Sequence, residues 1–154
     1  DWFEGATAIG LPVFASEAQF KKEMASHSRF DQLAVSRWGK VICMLQPLYT
    51  INWFKPKDMP DDVFSDAKKH TWQSYYYSLN NIIIKTNLFT LAKNINNRKV
   101  LFIHGEKDKT APSDNVREFA GTFTKAKLVE FKNGDHQLFL KEPEKVWDMI
   151  SQSF

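Results

Sequence analysis

Two short apolar runs near the end of the chain, separated by a helical stretch, restrict the possible fold more than any other feature. Val100-Leu101-Phe102-Ile103 is too short for a helix and is bounded by Arg98-Lys99 and Gly105, which suits a strand buried on both faces. From Ser113 to Phe123, Val116, Phe119, Ala120 and Phe123 recur at helical intervals, with Ser113 or Asp114 available as the cap. Lys127-Leu128-Val129-Glu130-Phe131 reads as a second strand. A last helix carrying Val146, Trp147, Ile150 and Phe154 completes a strand-helix-strand-helix end. Such a crossover implies parallel strands covered by helices, an α/β class. Two strands cannot make that sheet alone, because their backbone groups need neighbours. The expectation is an incomplete sheet, finished by an N-terminal portion of the same fold, a second chain or self-association.

The rest of the chain reads as helical. Residues 1–15 hold Gly5, Gly10 and Pro12 without a sustained period and are expected to be a connecting segment. Ser16-Glu17-Ala18-Gln19 has the form of a capping box, followed by Phe20 and Met24 on one face, so a short helix should run to about residue 27. Ala34, Trp38, Val41, Leu45 and Leu48 have the spacing of a buried helical stripe, weakened by Gly39 and disturbed at its end by Pro47. Pro56 and Pro60 bracket a polar turn. A third helical pattern starts near Asp62 and passes through Trp72, Tyr76, Leu79 and Ile83.

The chemistry lies where the two strands end. His104-Gly105-Glu106-Lys107-Asp108 follows the first, and Asn133-Gly134-Asp135-His136 follows the second. One carboxylate and one imidazole in this order form the acid–base half of a nucleophilic triad. His136 is the expected general base and acid, since an ordinary imidazole titrates near about 6.5. Asp108 would accept the imidazole's other N–H and stabilise the cation. The competing reading is that Asp108 only turns the loop, for Gly-Glu-Lys-Asp is also good turn chemistry. The third member should be a serine in a G-x-S-x-G turn, and these 154 residues contain no such pentapeptide.

The residues around both positions resemble the C-terminal half of an α/β-hydrolase. In that family a strand of the form x-V-L-x-I-x-G-x-x-D, then x-x-x-P and a helix, carries the triad acid; Asp108 and Pro112 fall at the matching positions. The next strand ends in a loop with the triad histidine and a helix opened by an acidic residue and proline, as Gly134 to Glu144 do here. Asp135 stands where the family more often has glycine. The resemblance covers residues 98–154. It implies a helical cap over 1–97, a β-α-β-α core portion over 98–154, and a missing N-terminal part supplying the first strands, oxyanion loop and nucleophile turn. The cap would set substrate choice, and Trp38, Tyr49, Trp53, Phe54, Trp72, Tyr75, Tyr76 and Tyr77 either line an apolar pocket or pack helix on helix. The expected activity is serine-dependent hydrolysis of a small apolar ester, thioester or related acyl compound, absent from this chain alone and needing no cofactor. A dehalogenase or epoxide hydrolase would carry aspartate at the missing turn. The alternative is a non-catalytic module of the same fold that binds a hydrophobic ligand or partner.

Other classes find little support. Net charge is only +3 with scattered lysines, so nucleic acid is not an expected partner. Ile82-Ile83-Ile84 is far short of a membrane span, and no leader pattern opens the chain at Asp1. The single cysteine, Cys43, lies in an apolar run and reads as a buried thiol in a reducing, cytoplasmic setting. His104 is expected to be a hydrogen-bonded core residue, His27 and His70 exposed, and Asp135 a loop carboxylate. A zinc site of His104, Asp108 and His136 is disfavoured because no short His-x-x-x-His pair supports it.

Overall fold

A computed structural model describes residues 5–24, 32, 36, 38, 39, 41, 60–67, 69 and 71–154. It comprises two compact units, Asp1–Ala15 with Asn87–Phe154, and Ser16–Thr86.

The first unit is a parallel three-stranded sheet, ordered β1-β2-β3. β1 spans Gly5–Ile9, β2 Lys99–Gly105 and β3 Lys125–Phe131. Gly5 pairs with Lys99 and Ile9 with Ile103; on the other side Lys99 pairs with Lys125 and Gly105 with Phe131. The central strand is buried from Val100 to Gly105, as its unbroken apolar run requires. Its alternate side chains feed two cores. Val100 and Phe102 join Val13, Val116, Phe119 and Phe123 on one face, while Leu101 and Ile103 join Leu138 and Val146 on the other. Phe102 is 1% exposed, and its ring meets those of Phe119 and Phe123 edge-on at centroid distances of 5.8 and 5.5 Å.

The expected strand-helix-strand-helix end is present. Beside the sheet lie α4 (Leu88–Ala92), α5 (Ser113–Ala120), α6 (Leu138–Lys141) and α7 (Pro143–Ser151). Neither Ser113 nor Asp114 caps α5. The helix starts one residue earlier than that capping needs, with Pro112 at the cap position and no side-chain cap bond. Asp114 instead pairs with Arg117 at 2.6 Å, and Arg117 reaches Glu130 on β3. In α7, Pro143 occupies the first turn, where its missing N–H costs nothing. Val146 is fully buried there, but Trp147 is 64% exposed.

Residues 1–15 differ from expectation. They are not a simple connection, for Gly5–Ile9 is the third strand. Small residues supply it: Ala8 packs on one core and Ile9 on the other, and the Phe154 ring fills the space a Cβ on Gly5 would take. Beyond it, Val13 is fully buried, and the Asn115 side chain donates to its carbonyl at 3.0 Å. A boundary at 97/98 also leaves α4 outside the sheet unit; Phe89 of α4 meets Phe119 at 5.2 Å, which ties it in.

In the second unit, α1 (Glu17–Met24) begins with one half of the expected capping box: Ser16 Oγ accepts from the Gln19 amide at 3.1 Å, while the Gln19 side chain donates forward to Glu23 at 3.0 Å. The third helical pattern is broken into α2 (Asp61–Ala67), α3 (Trp72–Ser78) and a π-helical segment, Leu79–Ile84. Thr71 starts α3 by accepting from the Ser74 amide at 3.1 Å. The stiff, β-branched Ile82-Ile83-Ile84 falls in the π-helical part, where Lys85 donates to Asn80 five residues back. Of the stripe expected from Ala34 to Leu48, Trp38 is 70% and Val41 48% exposed. A period marks one face of a helix, not what covers it. Ala34, Leu45 and Leu48 lie outside the described residues, as do His27, His70, Cys43, Tyr49, Trp53 and Phe54.

Phe102→Ala should lower stability by about 3–5 kcal/mol, since it empties the middle of one core. Urea denaturation of the two proteins measures this.

Candidate active site

At the end of β2 the chain turns so that the Asp108 amide donates to the Gly105 carbonyl at 3.1 Å. The Asp108 side chain has no exposed surface. A buried carboxylate is costly unless its oxygens are hydrogen-bonded, and here both are. Oδ1 accepts from the amides of Thr110 and Ala111, each at 2.8 Å, an Asx-type turn. Oδ2 is left for His136, whose Nδ1 lies 2.9 Å away across a separation of 28 residues. Asp108 therefore turns its loop and binds the imidazole at once; the two readings of this residue are not exclusive.

His136 sits in the loop after β3, and that loop is fastened to the one after β2. The Glu106 amide donates to Phe131 at 3.1 Å, and the Lys107 amide to Gly134 at 2.8 Å. Gly105 makes this crossing possible, because a Cβ there would stand 2.5 Å from the Gly134 carbonyl carbon. The chain leaving β1 completes the setting. Gly10 adopts φ +55°, and a Cβ on it would meet His136 Nδ1 at 3.6 Å. Sequence reasoning missed Gly10; the signal was its position between two apolar pairs, Ala8-Ile9 and Leu11-Pro12, at a strand end.

With Nδ1 facing a carboxylate, the imidazole hydrogen belongs there, and Nε2 is the basic nitrogen of the neutral ring. The hydrogen bond to Asp108 raises the His136 pKa above its ordinary value. Burial opposes this, and the charges of Asp108 and Asp135 add to it. Asp135 is engaged elsewhere: Oδ1 accepts from the Gln137 amide at 2.9 Å and Oδ2 pairs with Lys141 at 2.6 Å, which holds its carboxyl below the usual range. His104 is 1% exposed and its Nε2 lies 2.7 Å from the Ala111 carbonyl, a hydrogen-bonded core histidine as expected. Among the described residues no group of three or more His, Cys, Asp or Glu side chains is placed to hold a metal ion.

The arrangement matches known folds over nearly its whole length. An esterase from Exiguobacterium antarcticum superposes with a TM-score of 0.66 at 13% identity, over 97% of this chain and 56% of that one. A bromoperoxidase from Bacillus anthracis gives 0.65 at 14%, over 99% and 58%, and the enol-lactonase from Burkholderia xenovorans LB400 gives 0.62 at 16%, over 97% and 55%. In sequence, 52 residues are 38% identical to the AB hydrolase superfamily protein YisY of Bacillus subtilis (strain 168), which is 34% of this chain and 19% of that protein. No family model matches. The chain has the α/β-hydrolase fold. It spans little more than half the length of the solved structures it resembles.

Two outcomes follow from this geometry. Gly105→Ala should destabilise the chain by about 1–3 kcal/mol and loosen the crossing loops, readable as a lowered urea midpoint. The pH dependence has a defined sign. Because the folded His136 pKa is raised, its contribution to stability is complete below about pH 6.5 and is lost as pH rises through the folded value. Thermal unfolding from acid to alkaline pH should show this loss in the native chain, and Asp108→Asn should flatten it.

Proposed function

We propose that Asp108 and His136 are the acid and base of an α/β-hydrolase that cleaves small apolar esters, thioesters or related acyl compounds. The nucleophile, expected to be a serine, lies outside these 154 residues. The observation that carries this reading is the 2.9 Å contact between Asp108 Oδ2 and His136 Nδ1, with Nε2 left as base. His136 Nε2 takes the proton of the nucleophile as it attacks the acyl carbon, then returns it to the leaving alcohol or thiol. Asp108 holds the ring in the productive tautomer and stabilises the imidazolium between the two transfers. Side chains and water suffice for this cycle, so no cofactor is invoked. The esterase and enol-lactonase among the similar structures support an acyl substrate.

On the same reading Ser16–Thr86 is the cap, somewhat shorter than residues 1–97. Its Trp72 and Tyr76 stack at 4.6 Å, while Tyr77 is 57% exposed. Further strands, from an N-terminal portion or a second chain, extend the sheet beyond the outer edge of β1. Among the described residues no helix is long and apolar enough to cross a membrane. The lone Cys43 suits a reducing, cytoplasmic setting.

Complementation tests the proposal. The chain is co-expressed with an N-terminal α/β-hydrolase half carrying G-x-S-x-G and assayed on p-nitrophenyl acetate and butyrate. Turnover is expected only with both parts, and Asp108→Asn or His136→Ala should each reduce kcat/KM by about 10⁴-fold or more. Turnover indifferent to both substitutions would defeat the reading. Activity of the chain by itself, lost in both variants, would place the nucleophile inside these residues.

A further inference from the structure

One titratable side chain next to the Asp108–His136 contact takes no part in the proton transfers. His104, on the central strand, is almost wholly buried, and its Nε2 lies 2.7 Å from the Ala111 carbonyl. We propose that His104 is a positioning residue: its Nε2–H tethers the far end of the 105–111 loop to β2 and so aims the Asp108 carboxylate at His136. This deepens the acid–base reading above and rests on it.

The peptide units flanking Ala111 are held from opposite sides. The Ala111 amide, with that of Thr110, donates to Asp108 Oδ1 at 2.8 Å, and the Ala111 carbonyl accepts from His104. Moving residues 110–111 would therefore turn the carboxylate, because Oδ1 follows the amides and Oδ2 follows Oδ1. Ala111 is fully buried, so no bulk water replaces the tether if the ring N–H is lost.

The tautomer of His104 suits this task. Its Nε2 faces a carbonyl and must carry the hydrogen; Nδ1 is buried without a partner among the described residues. The charged groups around it are otherwise occupied. Asp108 Oδ2 is 3.6 Å from Nε2, too long for a good hydrogen bond, and is bound by His136. Glu130, opposite His104 in the β2–β3 register, is paired with Arg117. His104 thus fixes the acid without competing with His136 for the same lone pair.

Nuclear magnetic resonance on the 154-residue chain tests this. Nitrogen shifts should show the neutral His104 ring carrying its hydrogen on Nε2 rather than Nδ1. The His136 titration midpoint should fall in His104→Phe toward that of Asp108→Asn, and His104→Gln, which restores an N–H near the same place, should bring it part of the way back. A His104 that carries its hydrogen on Nδ1 overturns the proposal. So does a folded His104→Phe chain with the native His136 midpoint. Asp108→Asn separates the failures: if it leaves His136 unmoved, the acid–base pair itself falls; if it moves His136 and His104→Phe does not, only the tether falls. Should His104→Phe fail to fold, the tautomer of the native chain still decides.

Discussion

A carboxylate without exposed surface, at the end of the central strand, is the constraint around which the sheet unit is organised. Burying the Asp108 carboxylate there is costly unless its oxygens are supplied with donors. Two donors are local amides and cost the chain only a turn. The third is the imidazole of His136, and bringing it in requires a second strand, a parallel register and a loop pressed against the first. The glycines at 105 and 134 belong to the same requirement, since the backbones cross where any side chain on Gly105 would intrude. For the fold, the contact between Asp108 and His136 supplies a buried carboxylate with its last hydrogen bond.

The two apolar cores serve this arrangement by holding β2 still. Residues of β2 alternate between a face packed with phenylalanine rings and one packed by Leu138 and Val146. Leu138 lies two residues after His136, so the same contact that closes one core anchors the loop bearing the base. Position at the strand ends is thus inherited from packing in the strand centres, a common division between a rigid scaffold and the loops it carries.

Much of this was legible in the sequence, for identifiable reasons. Val100 to Ile103 reads as a doubly buried strand because nothing polar interrupts it, and Asp108 and His136 stand out because glycine-containing turns follow both strands. β1 was not legible. Its residues, Gly5-Ala6-Thr7-Ala8-Ile9, include few of the bulky side chains that mark strands, and smallness is what admits the Phe154 ring over Gly5. Ser113 and Asp114 do not cap α5 because Pro112, with its fixed φ, sets the helix start in place of a side-chain hydrogen bond. The helical pattern after Asp62 does not show that Thr71 begins a new helix or that the isoleucine run adopts the wider π-helical turn. Hydrophobic period sees faces; it does not see where the backbone breaks.

The inserted helical unit leaves the sheet unit after Ala15 and returns at Asn87, and there the Asn87 side chain donates to the Ala15 carbonyl at 3.4 Å. Exit and entry are therefore neighbours. A segment whose two ends already meet can grow, shrink or be exchanged at a cost that rises only slowly with its length, while the pairing of β1 with β2 stays the same. Such a junction works as a socket: the module plugged into it can change without disturbing the strand register underneath.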